Sequence, residues 1–410
     1  MSDSFSNKGL PLITRAALVL AAFTTALAFS IILPNLPSRI AAVAGLSDPA
    51  AISWHTGLIT AAYTVAIFFS APHLGRASDN WGRRPVLVLG LAGFSGSLVL
   101  FEIASDLWLL YMARVLAGLS AAAITPVALA TVGDWSPDDA WRARRFAWIG
   151  AATMIGFMVG PLLAGTFSIL DAKLAPPRPL LAWPIGLALV SAAIIAATVP
   201  GVKIHSTSYA RAATRGITGG SRTSRSLLAL AAIVAGCVAA FDVHLALRGN
   251  LGSGAPSLTI ALMLAECSAV MLLAQTLVFS PLVPPKATRW LIAPALGVLG
   301  LTLATVSDVK NTTELVVGVG VIAAAAGIAA PIITYWTAVI AGEHQGEDLG
   351  RWIAVTSLGQ ALGSAAAGLL LSHGMDTAVF GVASALALAG MIMAARLPLR
   401  LANLMTSAMP

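Results

Sequence analysis

The sequence predicts an all-α integral membrane protein whose twelve transmembrane helices form two six-helix bundles related by pseudo-two-fold symmetry. Its 410 residues are 58% hydrophobic and 10% charged, with a mean hydropathy of +0.87, whereas soluble domains are about a quarter charged. Twelve apolar runs approach the length of about 20 residues that a helix needs to cross the hydrocarbon. Because irregular backbone facing lipid leaves amide groups unpaired, these runs must be helices.

The predicted spans follow one another through the whole chain. In order, they are 13–34, 56–74, 85–105, 107–132, 146–168, 180–199, 227–247, 258–279, 290–306, 314–340, 352–372 and 377–395. The first also has an alternative interpretation as a signal peptide, because Lys8 and Arg15 precede an apolar run containing "ALA" at 26–28. That run continues to Leu33, and eleven spans would upset the charge distribution, so a membrane helix is favoured.

The basic residues are distributed unevenly between the two sides of the membrane. With an even number of spans both termini share one side, and that side holds 18 of the 24 Lys and Arg residues. Five lie on the other side, and Arg114 lies inside a span. The positive-inside rule therefore predicts cytoplasmic termini, and we expect a bacterial inner (plasma) membrane. Since the basic residues do not gather on one face, the net charge of +7 indicates no nucleic-acid partner.

The stretch "GRASDNWGRRP" lies between the second and third spans. It resembles the signature that major facilitator superfamily transporters carry at this point, and the matching residues are Gly75, Asp79, Gly82, Arg83 and Arg84. The resemblance extends to the span count and to the long central loop. A basic loop that only orients the chain would explain the arginines, but not the two glycines and the aspartate.

Each residue type in this signature has a physical use. Gly75 lets a neighbouring helix approach closely, and Asp79 can sit by the positive end of a facing helix. By resemblance, that helix is the eleventh, which starts near Arg351. Arg83 and Arg84 hold the loop in the cytoplasm and pair with acids. Because such contacts exist only while the two halves are closed on the cytoplasmic face, we expect the loop to act as a conformational latch.

A charged residue occurs inside the fourth span. "RVLAGLSAA" resembles the second motif of the family, in which an arginine is followed four residues later by a glycine, here Arg114 and Gly118. A charge within a span costs roughly 2.5 kcal/mol or more and indicates a function by default. The resemblance implies a role in proton coupling. The alternative is an arginine that reaches the nearby outer surface or braces the bundle.

The fifth span, "GFMVGPLLAG", resembles the motif of the antiporter branch of the family. The matching residues are Gly156, Gly160, Pro161 and Gly165. Proline removes a backbone hydrogen bond and glycines allow close crossings, so we expect a bend at which the two halves seal or part. Ala164 and Ala147 stand where the motif has glycine. The motif therefore favours export by antiport without settling it.

A polar, basic segment at 201–226 predicts a cytoplasmic central loop between an N-terminal bundle, 1–200, and a C-terminal bundle, 227–410. An internal repeat supports this division. The glycines of the fifth span recur with the same spacing in the eleventh, 203 residues later, as Gly359, Gly363 and Gly368. Small residues also let any membrane helices pack closely, but the corresponding span numbers favour a duplication.

Two acids lie well within spans, and they are the proton-coupling candidates beside Arg114. Asp242 is in the seventh span and Glu266 is near the middle of the eighth. Burial favours the neutral form of a carboxyl group, so either residue can take up and release a proton as its surroundings change. Glu266 can instead be a neutral carboxyl bonded to a neighbouring helix, and Asp242 can be paired with His244 or Arg248.

Few polar side chains are placed to contact a substrate at the midplane. The cavity candidates are Thr25, Tyr63, Gln275, Tyr335, Trp336 and Gln360. Such a cavity suits a small, largely apolar compound with one or two polar groups better than a sugar. The first span contains no acid, although many drug exporters of the family carry one in their N-terminal half.

These observations predict a secondary active transporter that exports small, largely apolar compounds in exchange for protons by alternating access. The alternatives are a transporter of one specific metabolite, siderophore or lipid, and a transporter-like scaffold or receptor. No catalytic cluster, phosphate-binding loop or metal-ligand spacing occurs, so we expect neither an enzyme nor a cofactor. Cys237 and Cys267 fall in spans and are interpreted as packing residues. We expect a monomer.

Overall fold

The computed structural model describes most of the chain. The described residues are 10–135, 139–171, 179–199, 222–250, 258–280, 283–306, 309, 311–341, 345–399 and 401. They form twelve α-helices and one short 3-10 helix, Pro285–Trp290. The helices are α1 Leu12–Ala44, α2 Pro49–Trp81, α3 Arg83–Ile103, α4 Leu107–Asp134, α5 Asp139–Asp171, α6 Ala182–Thr198, α7 Arg222–Asn250, α8 Leu258–Val278, α9 Ile292–Val306, α10 Thr312–Ala341, α11 Gln345–Ser372 and α12 Asp376–Ala394.

Every predicted span corresponds to one of these helices. Eleven helical segments within the described residues are long and apolar enough to cross a membrane, and the one that contains α9, Ala287–Val306, includes most of the 3-10 helix. The exception is α6, whose 17 residues extend over about 26 Å, at the lower end of the range for a membrane helix. Seven helices are longer than the apolar pattern predicts, namely α1, α2, α4, α5, α7, α10 and α11. Of these, α1 continues through Pro34 and Pro37 to Ala44.

The prediction of a loop at 75–84 is wrong. Helix α2 continues to Trp81 and α3 begins at Arg83, so Gly82 is the single residue between them. Its φ of 98° lies where side chains are strained, which explains a glycine there. Helices α2 and α4 begin on the opposite side of the membrane from Gly82, and each has an aspartate N-cap. The Asp48 carboxylate accepts from the Ala50 amide at 3.0 Å, and the Asp106 carboxylate accepts from the Leu109 amide at 2.9 Å.

The helices form two bundles with the same internal arrangement. In the first bundle α1 packs on α5, α2 on α4 and α3 on α6; in the second, α7 packs on α11, α8 on α10 and α9 on α12. Each bundle has its own apolar core. A smaller cluster that includes Leu33, Val243 and Ala367 joins them. This equivalence confirms the predicted fold class. The predicted central loop lies outside the described residues up to position 221, and α7 begins at Arg222.

Helix directions alternate along the chain. Gly156 lies opposite Phe23 and Gly160 opposite Leu27, so α1 and α5 run parallel. We call the face at which α1 begins the near face and the opposite one the far face. Odd-numbered helices run from the near face to the far face, and even-numbered helices return.

The repeated glycines have equivalent neighbours in the two halves. Gly156 and Gly160 pack against the backbone of α1, and Gly359 and Gly363 pack against the backbone of α7. The third glycine of each set contacts the other half instead, Gly165 at α8 and Gly368 at α2. The sequence repeat therefore corresponds to a repeat of helix–helix contacts within the fold.

Candidate functional site between the two halves

The two halves meet in backbone contact at the far-face end of α2 and α11. A Cβ added to Gly57 would lie 2.6 Å from the Gly368 Cα and 2.6 Å from the Ser364 carbonyl oxygen. One added to Gly368 would lie 2.8 Å from the carbonyl oxygen of Ser53. Since real Cβ atoms do not approach this closely, only glycine allows this crossing.

The second junction between the halves is equivalent to the first. A Cβ added to Gly165 would lie 2.7 Å from the Ala261 Cβ and 3.2 Å from Leu258 Cδ1, which is closer than ordinary van der Waals contact. Gly165 is near the end of α5, and Ala261 is in the first turn of α8. Both junctions therefore lie towards the far face, and the chain is closed there.

At the near face the end of α2 is free of such a contact. A Cβ on Gly75 would meet nothing within 4 Å, so no helix of the described residues packs against it, contrary to the expectation from the signature. Asp79 does not face another helix end either, because its carboxylate pairs with the Arg83 guanidinium at 2.5 Å. The Nε of Arg83 donates to Asp134 at 2.8 Å, and its Nη1 donates to Ser78 at 2.6 Å.

Arg83 therefore joins the ends of α2, α3 and α4 within one half. In this conformation the signature holds the near-face end of the first bundle together, and the expected contacts with α11 are not made. The side chain of Arg84 has no ion pair among the described residues.

Gln360 lies just below the far-face junction on α11. Ser364, one turn further along, is the residue whose carbonyl faces Gly57, and its hydroxyl donates to the Gln360 carbonyl at 2.8 Å. Gln360 shares this side of the helix, yet its side chain is exposed. The exposed Gln360 side chain is therefore one helical turn away from the contact between α2 and α11.

Arg114 is buried in an aromatic cage in the first half. Its side chain is 3% exposed, and its guanidinium carbon lies 4.5 Å from the centre of the Tyr63 ring and 5.4 Å from that of Phe29. The Phe29 ring also contacts the Phe157 ring, with centroids 5.9 Å apart. No carboxylate pairs with Arg114 in the described part of the chain, so aromatic faces hold its charge.

The spacing of the RxxxG motif explains this cage. Gly118 contacts the carbonyl oxygen of Tyr63, and a Cβ there would also lie 2.8 Å from Ala66. The missing side chain lets α4 approach α2 at Tyr63. The side chain of Arg114, one turn earlier on α4, then reaches the Tyr63 ring.

The two acids lie near the same buried thiol in the second half. Asp242 on α7 and Glu266 on α8 both interact electrostatically with the buried thiol of Cys267. The Glu266 carboxylate faces α10, where a Cβ on Gly320 would lie 3.1 Å from its Oε1. Within the described residues, neither carboxyl group has a hydrogen bond or ion pair.

The alternative partners proposed for Asp242 are engaged elsewhere. His244 packs on Phe380, with ring centroids 4.5 Å apart, and its charged neighbours are Asp376 and Arg248. Arg248 donates to the Val309 carbonyl at 2.9 Å. Asp242 is therefore not held by an ion pair with either residue. Arg114 lies in the other half, and no ion pair joins it to the two acids in the described structure.

Two of the cavity candidates are packing residues. Trp336 is 2% exposed and its indole nitrogen donates to the Thr288 hydroxyl at 3.1 Å, so it belongs to the core of the second bundle. The Thr25 hydroxyl is buried and donates to the Ala22 carbonyl of its own helix. Both predictions are wrong because a single sequence does not fix how a helix is rotated.

The other cavity candidates differ in exposure. Gln275 and Tyr335 are partly exposed, and Tyr335 contacts the Phe279 ring at 5.9 Å. Tyr63 is buried under Arg114.

The glycines of the antiporter-type motif have two different neighbours. Gly156 and Gly160 are within one half, where the Ser30 hydroxyl donates to the Gly156 carbonyl at 3.1 Å. The motif suggested that Gly156 and Gly160 lie where the two halves seal or part, but both pack against α1 of their own half. Pro161 is inside the continuous helix α5. Of the four motif residues, Gly165 is the one at the junction between the halves.

Sequence reasoning missed four residues of this site, namely Phe29, Gly57, Asp134 and Gly320. Two are glycines inside spans, a feature that can mark a close crossing. Asp134 follows a glycine at the end of a span, beside a basic loop. Nothing in the sequence distinguishes Phe29 from other apolar residues.

Comparison with known proteins agrees with this architecture. The model of the Major Facilitator Superfamily matches residues 18–309. Multidrug resistance protein 2 of Bacillus subtilis is 27% identical over 356 residues, which are 85% of this chain and 86% of that protein. The crystal structure of the human organic anion transporter MFSD10 (TETRAN) superposes with a TM-score of 0.70 at 20% identity, covering 94% of this chain and 100% of that one.

A shorter match joins the chain to a resistance protein. The class B tetracycline resistance protein of Escherichia coli is 35% identical over 152 residues, 37% of this chain. The match spans about a third of that relative, 36% of its length.

Two equivalent bundles of apolar helices that meet at two glycine junctions define a membrane transporter of small molecules. The chain belongs to the Major Facilitator Superfamily. It is accordingly an integral membrane protein and not an enzyme.

Proposed function

We propose that this transporter exports small, largely apolar compounds in exchange for protons. The observation that carries the proposal is the pair of unpartnered acids, Asp242 and Glu266, placed on adjacent helices of the second half. A carboxyl group without a partner inside a membrane protein is a functional feature by default. Two of the relatives are a tetracycline resistance protein and a multidrug resistance protein, which supports drugs as the substrate class.

The conformation supports one stage of an alternating-access cycle. The halves are closed at the far face, at Gly57 with Gly368 and at Gly165 with Ala261, while the space in front of Gly75 is open. With the termini in the cytoplasm of a bacterial inner membrane, this is the inward-facing stage. Closing the near face brings the start of α11 into the open space at Gly75. Asp79 then exchanges its pairing with Arg83 for the positive end of that helix.

The proton cycle follows from the two environments of the acids. When the near face is open, a wetted Glu266 carboxyl releases its proton to the cytoplasm, and the substrate enters between the halves. Closure removes water from the site, and burial then favours the neutral acid. Protonation from the far face completes the exchange. Gly320 leaves room for the carboxyl to move between these positions.

The test uses the purified chain in sealed liposomes with an imposed pH gradient. Lipophilic cations and neutral drugs are added one at a time while internal pH is recorded, for the wild type and for Glu266→Gln. We expect some compounds to drain protons through the wild type and not through the variant. The matched control is Glu314→Gln, the same change at an exposed residue in the first turn of α10, which should behave as wild type. An intact gradient with every compound would rule out drug–proton exchange.

A second function is favoured by one observation, the buried Arg114 without a carboxylate partner. A buried guanidinium without a carboxylate partner suits the transport of one specific anionic metabolite. Uptake or exchange of labelled organic anions by the same liposomes, lost in Arg114→Met and unaffected by lipophilic cations, would favour this function over drug export.

A further inference from the structure

A basic and aromatic cluster lies at the near face, outside the site between the halves. It consists of Arg15 at the start of α1 and Trp141, Arg145 and Trp148 on α5, and we call it the basic cluster. The guanidinium carbons of Arg15 and Arg145 lie 5.9 Å and 5.2 Å from the centre of the Trp141 ring. Arg145 also lies 5.2 Å from the centre of the Trp148 ring. Two cations therefore share one indole.

No acidic side chain compensates these two charges within the described part of the chain. The two guanidinium groups are close enough to repel each other. Neither Arg15 nor Arg145 takes part in the ion pairs seen among the described residues, which lie around Arg83. The Nε atoms of Arg15 and Arg145 are buried without a hydrogen-bond partner. Like charges held together in this way favour an anionic ligand with several acceptor oxygens.

The depth of the basic cluster matches a membrane–water interface. The apolar stretch of α5 begins at Arg144, so Trp141 precedes it and Arg145 lies at its edge. Trp148 lies one turn deeper and is 60% exposed. The apolar side chains of Leu12 and Ile13 are also exposed, by 72% and 55%. Tryptophan beside exposed aliphatic residues is typical of the lipid headgroup level of a membrane, where the aliphatic side chains are covered by acyl chains.

We propose that the basic cluster binds the phosphate of an anionic phospholipid headgroup. The phosphate lies between Arg15 and Arg145, and one acyl chain runs along Trp148 and the start of α1. Because α1 and α5 pack along much of their length, a bound lipid bridges the two helices at their near-face ends. The lipid site does not depend on the direction of transport or on proton coupling.

The test counts bound lipids on the purified full chain by native mass spectrometry. Phosphatidylglycerol and phosphatidylcholine with the same acyl chains are compared for the wild type and for Arg15→Gln/Arg145→Gln. Each arginine near an anionic surface contributes about a fivefold factor, so we expect the double variant to lose about 25-fold in phosphatidylglycerol affinity. Binding of phosphatidylcholine should not change.

The control is Arg396→Gln, which removes an exposed basic residue just after α12, at the same face. It should bind phosphatidylglycerol like the wild type. The single variants Arg15→Gln and Arg145→Gln, each expected to lose about fivefold, serve if the double variant does not fold. Equal binding of the two lipids by the wild type would overturn the proposal. Displacement of phosphatidylglycerol by inorganic phosphate at equal concentration would identify a free-anion site instead and also overturn it.

Discussion

At the scale of single residues, the fate of a buried charge separates structural from functional arginines. Arg39 donates to the carbonyl oxygens of Glu102 and Ala104, at 2.5 and 3.2 Å, and so joins two elements of the first bundle. Arg114 instead faces the rings of Tyr63 and Phe29, and its Nε has no hydrogen-bond partner. The free energy gained from cation–π contacts is smaller than the free energy lost by removing a guanidinium from water. The fold is therefore not the reason for Arg114.

Replacing Arg114 by methionine tests this argument. An apolar side chain of similar volume removes the cost of the buried charge, so the unfolding free energy should stay equal or rise by about 1 kcal/mol or more. Transport in liposomes should be lost. Arg39→Met is the matched control and should lower the unfolding free energy by about 2 kcal/mol, because it removes two charge-assisted hydrogen bonds. Thermal and denaturant unfolding measure both. A strong destabilisation by Arg114→Met would make Arg114 a brace of the bundle.

At the scale of elements, α11 has two glycine contacts with different consequences. Gly363 packs against the backbone of α7, and a Cβ there would lie 2.8 Å from the Gly236 Cα. Gly368, five residues later, meets Gly57 of the other half, with a Cβ 2.7 Å from the Gly57 Cα. The first contact belongs to a core that persists through the cycle. The second must open when the far face opens.

Leucine at these two positions should separate the two roles. Gly363→Leu should destabilise the protein by several kcal/mol, of order 3, because packed backbones must part inside one bundle. Gly368→Leu should leave the unfolding midpoint near the wild-type value, open the far face and abolish transport. Spin labels at the exposed Ser105 and Met375 measure the far-face distance, since Cys237 and Cys267 are buried and do not react. A Gly368→Leu variant with wild-type distance and transport would contradict this division.

The sequence was most informative about features that lie within one helix. Hydropathy predicted twelve helices, and the spacing of Gly156, Gly160 and Gly165 predicted a repeat that has equivalent contacts in both halves. Features that depend on two helices were not predicted. Trp336 and Gln360 both look like polar groups in a span, but the first is buried in the core and the second is exposed. Helix rotation, which decides this, is set by tertiary packing that apolar sequences leave undetermined.

At the scale of the whole molecule, the contacts at the two faces are coupled. The far face is closed by two glycine junctions, one on each side of the pseudo-two-fold axis, and the near-face end of α2 is open. Because the bundles keep separate cores, they can move as bodies about the smaller cluster that joins them. The balance between the two states then depends on a few polar contacts at the near face.

The near-face balance can be tested through the two acids that contact Arg83. Asp134 pairs with Arg83 inside the first half, whereas Asp79 is proposed to leave Arg83 for the start of α11 when the near face closes. Asp79→Asn should therefore shift the population towards the near-open state by up to about 30-fold, since a carboxylate at a helix end contributes up to about 2 kcal/mol. Transport should fall accordingly, with the far-face label distance held at its closed value.

Asp134→Asn is the matched control for this change, because it removes the same charge from the same arginine. It should lower stability by about 1 kcal/mol and leave the population and the transport rate close to those of the wild type. If the two variants lose transport equally, the role of Asp79 is confined to its ion pair with Arg83, and the near face needs another contact to close. A larger loss in Asp79→Asn, without a larger loss of stability, requires a partner for Asp79 outside its own half.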